Sequence, residues 1–216
     1  MAELRLHDYP ASANCLKARI ALRQLGLGFE RVNVDIFAGE TLTDEFAALN
    51  PFRSTPVLEV AGEGVLIESN AILWYLAEGT DLLPADAFGR GQVTRWLIYE
   101  QADVMPAIGG LRFRLMTGRL ASEDRDAQRR RRNALEVLAF LDSHFEQNEL
   151  LAGRYSIADI AVYAYTHVAR DADLDLDAYP HVVAWIGRVE STPGFVDDLV
   201  PYPPNARPGA SRSTYD

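Results

Sequence analysis

Three short stretches carry residue types that could bind and activate a small molecule. In Arg53-Ser54-Thr55-Pro56-Val57 a proline opens an apolar run. Proline lacks an N–H and is accepted at a strand's first residue but not in a central ladder. The stretch therefore predicts a tight turn, and with it a cis Thr55–Pro56 bond. That arrangement leaves the backbone N–H and C=O of Thr55 to grip an extended peptide. After a second apolar run, Val65 to Ile67, the pair Glu68-Ser69 opens a helical pattern. A hydroxyl beside the first-turn N–H groups of a helix attracts a carboxylate. Together the two stretches suit a small acidic peptide. The third stretch brings a phenol, a hydroxyl and a thiol close together as Tyr9, Ser12 and Cys15. Ser12 and Asn14 both suit a helix cap. A thiol at a helix N-terminus is acidified, whereas a cysteine inside a helix is ordinarily a small buried hydrophobe.

The elements that must position these residues follow from pattern. Leu4-Arg-Leu-His7 alternates as a short strand, and Asn14 to Leu25 has a helical apolar face closed by Gly26, a residue favoured just past a helix end. Phe29–Ile36 reads as a second strand, and Leu42–Leu49 as a short helix that ends before Asn50-Pro51. Two strands and a helix over 69–78 complete a βαβαββα order. A βαβ crossover forces parallel pairing, and the last two strands form a hairpin. Residues 80–89, rich in Gly, Asp and Pro, read as a linker. Beyond them only helical patterns occur, near 90–117, 122–148, 156–170 and 180–191, with a short turn near 194–199. Ser156-Ile-Ala-Asp159 is a capping-box variant. The last residues, 201–216, carry Pro, Gly and Ser with little apolar content and read as an irregular tail. The boundaries expected are thus 1–79, a linker over 80–89, a helical domain over 90–200, and the tail.

Composition narrows the class. The formal net charge is -10, shared evenly by the two halves, so no basic arm exists and nucleic acid is not the expected partner. Cys15 is the one cysteine, which excludes an internal disulfide framework. No secretory leader is legible, and no apolar run is long enough to span a membrane. The reducing cytoplasm is the expected compartment. The four histidines show no ligand spacing, so no metal is expected.

The stretch Thr-Pro-Val-Leu, a turn, then Glu-Ser-Asn-Ala-Ile resembles the glutathione-binding half of cytosolic glutathione transferases. Leu4 to Leu22 is similar to that family's first strand, catalytic loop and first helix. Ser156-Ile-Ala-Asp-Ile-Ala161 agrees in the second half. The resemblance implies an α/β thioredoxin-like N-terminal domain and an all-α C-terminal domain. It implies an enzyme that takes glutathione as co-substrate and transfers it to a small apolar electrophile in detoxification, working as a homodimer. It places Ser12 as the thiol activator of the serine-type classes, with Tyr9 and Cys15 as competitors from the tyrosine and cysteine types. Glu68 would meet the γ-glutamyl ammonium and Ser69 its carboxylate. Thr55, ahead of Pro56, would pair with the cysteinyl residue, and Arg53 and Thr41 would lie near the glycine end. Gln101 or Asp103 would reach across the dimer to the ligand's amino group. Tyr99, Met105, Ile108, Leu111 and Phe113 would wall the electrophile pocket. A peroxidase, isomerase or dehalogenase on the same scaffold, or a non-catalytic binding protein, is the alternative.

Overall fold

The computed structural model describes residues 3–215, which divide into two compact units. The first holds residues up to Leu76 together with those from Val196 onward; the second runs from Ala77 to Phe195.

The first unit is built on four strands: β1 (Leu4–Asp8), β2 (Glu30–Asn33), β3 (Val57–Val60) and β4 (Gly64–Ile67), in the order β2-β1-β3-β4. β1 pairs parallel with β2, and β3 runs antiparallel to both β1 and β4. The helix α1 (Ala13–Gln24) makes the crossover that parallel pairing requires. Gly26 ends it at φ +64°, where its N–H bonds to Arg23 and that of Leu27 to Leu22, the Schellman arrangement. Two further helices follow, α2 (Asp44–Leu49) and α3 (Ser69–Ala77). This is the thioredoxin-like α/β arrangement expected from the sequence.

The residues from Val196 onward are tied to the first unit. Asp198 bonds Arg19 at 2.6 Å and Arg31 at 2.9 Å, and both arginines also hold the fully buried Asp8 at 2.5 Å. Arg212 N–H donates to the Phe37 carbonyl at 2.9 Å, and Asn205 donates to Asp35 at 3.0 Å. Tyr202 packs edge-on against Phe37. Residues 201–215 are irregular, as their composition reads, and single side-chain and backbone bonds hold them.

The second unit is helical: α4 (Ala87–Tyr99), a π-helical segment (Glu100–Gly109), α5 (Gly110–Met116), α6 (Arg125–Gln147), α7 (Ile157–Thr166) and α8 (Pro180–Glu190). The sequence pattern reads the stretch to 117 as one helix, but its middle is widened. Pro106 interrupts the ordinary ladder there. A Cβ on Gly109 would lie 2.4 Å from the Tyr165 ring. The capping box forms: the Ser156 N–H donates to Asp159 at 3.1 Å, and the buried Asp159 also accepts from Leu151 N–H and the Trp185 indole. The expected linker packs as well. Leu82 and Leu83 are buried, and the Leu82 carbonyl takes the Ile157 N–H at 3.0 Å. Residues 195–200 hold no helical turn.

Candidate glutathione site

Three loops of the first unit converge on the start of α1. Ser12, rather than Asn14, is its N-cap, with extended backbone; its hydroxyl accepts the Cys15 N–H at 3.3 Å. Its own N–H donates to the Tyr9 carbonyl at 2.9 Å, which fixes the loop. Ser12 is half-buried. Asn14 lies inside the first turn and accepts from the Ser69 hydroxyl at 3.2 Å. That bond joins the N-terminus of α1 to that of α3.

The other two activator candidates are sealed. Cys15 is fully buried inside α1 and takes the Tyr9 N–H at 3.4 Å. Burial, and then the Asp8 carboxylate, push its thiol up to about 12, although Thr55, the Tyr9 N–H and Ser12 pull the other way. The acidification expected of a thiol at a helix N-terminus is overturned by this desolvation. Tyr9 is 5% exposed, edge-on to Phe37, and its hydroxyl has no hydrogen-bond partner. Burial, then Asp35 and Tyr202, raise the phenol well above its usual range.

The Thr55–Pro56 bond is cis. The loop before it is organised by buried Asn50, whose amide donates to the Ser54 carbonyl at 2.8 Å and whose oxygen takes the Phe52 N–H at 2.9 Å. Arg53 has φ +55° and donates to the carbonyls of Thr41 and Thr43, both at 3.2 Å. Thr41 itself is 1% exposed, so what it offers Arg53 is its carbonyl. Thr55 is half-buried.

Glu68 is exposed and sits at φ +70°. A non-glycine residue there is uncommon, and such outliers cluster at functional positions. Ser69 follows, buried, as the first residue of α3. The first-turn N–H groups of a helix have no intrahelical partner. The arrangement can serve as an anion seat: a buried hydroxyl at a helix N-terminus, with the exposed Glu68 carboxylate beside it for an ammonium.

Gln101 and Asp103 belong to the other unit, on the π-helical segment. Gln101 is tied to Glu100 at 2.9 Å, and exposed Asp103 lines a cleft of about 450 Å³ with Tyr99, Arg129 and Arg130. Ile108 and Leu111 are fully buried, so the structure does not offer them as pocket walls; Tyr99, Met105 and Phe113 are half-buried. No group of three or more metal-binding side chains occurs among the described residues. None of their helices is long and apolar enough to cross a membrane. Sequence reasoning missed one participant. Lys17, fully buried, donates to Ser69 Oγ and Asn70 Oδ1, each at 3.3 Å. Its position three residues after Asn14, on the same helix face, was the available signal.

The fold of the two units agrees with what known proteins show. Residues 11–78 match the family model for the glutathione S-transferase N-terminal domain, and residues 104–193 that for its C-terminal domain. Glutathione S-transferase 3 of Zea mays is 34% identical, over 94% of this chain and 97% of that protein. The maleylacetoacetate isomerase of Rhizobium meliloti (strain 1021) is 35% identical, over 84% of this chain and 89% of that one. A glutathione S-transferase structure from Pseudomonas fluorescens superposes with a TM-score of 0.87 at 39% identity, covering 91% of this chain and 99% of the other. A Pseudomonas putida glutathione transferase, solved with one glutathione disulfide bound per subunit, has a TM-score of 0.80 at 28% identity, over 89% and 88%. The chain belongs to the glutathione S-transferase family.

Proposed function

We propose that this protein is a serine-type glutathione transferase in which Ser12 activates the bound thiol for attack on a small apolar electrophile. The observation that carries the assignment is the contrast among the three candidate activators. Ser12 is half-buried at the cap of α1, while Tyr9 and Cys15 are sealed with raised pKa values. A hydroxyl that donates to a thiolate favours the charged form, and the helix N-terminus acts in the same sense. Glu68 and Ser69 receive the γ-glutamyl end, and the backbone of Thr55 receives the cysteinyl residue. Arg53 stands near the glycine carboxylate, held against Thr41 and Thr43. In the same reading the protein works as a homodimer, with exposed Asp103 offered to the partner's ligand.

Turnover of a panel of electrophiles, measured against pH, tests the reading. Ser12→Ala loses most of its rate at neutral pH and regains part of it as pH rises, when hydroxide takes over the deprotonation; Tyr9→Phe keeps the wild-type profile. An unchanged profile in Ser12→Ala with activity lost in Tyr9→Phe would move the protein to the tyrosine type. One relative is an isomerase, so maleylacetoacetate belongs in the panel. Isomerisation of it without conjugation of any electrophile would replace the transferase reading.

A further inference from the structure

The tail beyond Val196 folds back onto the loop between β2 and α2. The hub of that loop is Asp35. Its Oδ1 accepts the N–H groups of Phe37 at 2.9 Å and Ala38 at 3.1 Å, which closes a turn. Its Oδ2 accepts from the Asn205 amide at 3.0 Å. One carboxylate thus shapes the loop and ties it to the tail. Further along, the Arg212 N–H donates to the Phe37 carbonyl at 2.9 Å, and Arg212 pairs with Ala38 in an isolated parallel bridge. Gly39 is buried at φ +87°, and a Cβ there would lie 3.0 Å from Arg212 Cδ. The glycine lets the arginine stem lie across the loop. Phe37, 1% exposed, meets the rings of Tyr202 and Tyr215 at centroid distances of 6.3 and 6.2 Å.

The clamped loop leads into a single 3-10 turn, Glu40–Leu42. The Glu40 carboxylate reaches back to the Asp35 N–H at 2.7 Å. Thr41 is buried within the turn, and its carbonyl and that of Thr43 both accept from Arg53 NH1 at 3.2 Å. A guanidinium carries its N–H donors in a rigid fork. Two carbonyls hold one prong, and Nε and NH2 remain, with exposed Asp44 4.0 Å from NH2. Arg53 also sits at φ +55°, a backbone state that its surroundings must impose. The loop therefore sets the direction of this fork, and the tail sets the loop.

We infer that Asn205 and Arg212 are positioning residues for glutathione: by clamping the β2–α2 loop they hold Thr41 and Arg53 in the geometry that receives the glycine carboxylate. The inference rests on the assignment of Thr41 and Arg53 proposed above. Neither tail residue touches the ligand. Without the clamp the loop must be ordered as the ligand binds, and that loss of conformational freedom opposes binding. The effect falls on the glycine end, because Ser12 and Ser69 are held by other bonds, to Cys15 and Asn14.

Two ligands separate the possibilities: glutathione, and γ-glutamylcysteine, which lacks the glycine. Calorimetry on the full chain as wild type, Asn205→Asp and Arg212→Pro gives the affinities. Asn205→Asp sets a second carboxylate against Asp35, and Arg212→Pro removes the N–H that reaches Phe37. Wild type binds glutathione about tenfold or more tightly than γ-glutamylcysteine, the size of one charge-assisted hydrogen bond. In each variant that ratio falls to about threefold or less, while γ-glutamylcysteine binds as it does to wild type. In steady state the variants raise KM for glutathione more than they lower kcat. Equal wild-type affinity for the two ligands would overturn the assignment of Thr41 and Arg53 itself. A ratio that survives in both variants, or an equal loss for both ligands, would overturn the inference about the tail alone. Should the variants fail to fold, hydrogen exchange on wild type decides the matter, because coupling between two sites is reciprocal. Saturating glutathione then slows exchange of the Arg212 and Ala38 amides more than saturating γ-glutamylcysteine does; equal protection by the two ligands would refute the proposal.

Discussion

Removing the Ser69 hydroxyl is the most informative perturbation of recognition, and the structure sets its size. Ser69 is 4% exposed and opens α3, so a carboxylate that reaches it is largely out of water. Hydrogen bonds to charged groups are worth about 1.5–3 kcal/mol. In the proposed site, ligand binding is an exchange: the Ser69 hydroxyl, which donates to Asn14 Oδ1 at 3.2 Å, would give up that bond to take the carboxylate. The bond lost is long and neutral, the bond gained is charge-assisted, and the net lies toward the lower end. Ser69→Ala should therefore weaken glutathione binding by about 1.5–2 kcal/mol, or roughly 10–30-fold. The α3 first-turn N–H groups remain and keep binding measurable. Glu68→Gln should weaken it in the same direction through the ammonium. Titration calorimetry reads both, with thermal unfolding as a check on the fold. Unchanged affinity in both variants would show that the γ-glutamyl end lies elsewhere.

The remaining predictions concern Cys15 and the helical unit. With its thiol at about 12 and no exposure, Cys15 should resist iodoacetamide at pH 8 in the native protein and react once urea unfolds it; rapid native labelling would reopen a cysteine mechanism. Cys15→Ala should likewise keep activity at neutral pH. Asp159→Ala strips the acceptor from three buried donors, on Ser156, Leu151 and Trp185. At about 1–3 kcal/mol for each donor left unmet, urea denaturation should show a loss of at least about 3 kcal/mol, and a loss below about 1 kcal/mol would mean that water or rearrangement satisfies them.

The parts of the fold that were legible in the sequence are those fixed by local chemistry. Gly26 marks the end of α1 because its left-handed backbone favours glycine, and Ser156 with Asp159 announces its own cap. Pro56 announces a turn, and the strand–helix–strand spacing forces parallel pairing. Contacts distant in sequence were not legible. Residues 100–109 read as ordinary helix although Pro106 stands inside them, and the Tyr165 ring that fills the space beside Gly109 comes from far along the chain. Residues 201–216 read as an irregular tail, but how they are held was not legible, because the anchors are single residues, Asn205 and Arg212, whose partners lie far back in the chain. In the proposed site, residue types single out Ser12, Thr55, Glu68 and Ser69. What pattern could not supply was burial. A lysine in a helix suggests the surface, yet Lys17 is enclosed. Tyr9 and Cys15 lie close to Ser12 in sequence, and only packing shows that both are sealed.

The central claim is that the Ser12 hydroxyl stabilises the thiolate of bound glutathione. Its most direct test is the pKa of that bound thiol, followed by thiolate ultraviolet absorbance as pH is stepped from 5 to 9. Cys15, with its thiol at about 12, stays silent in that range. A free cysteine thiol titrates near about 8.5, and one charge-assisted hydrogen bond corresponds to about one unit. Wild type and Tyr9→Phe should titrate clearly below that value, and Ser12→Ala about one unit or more higher than wild type. A bound thiol that titrates unshifted in wild type, or equally low in Ser12→Ala, would contradict the claim.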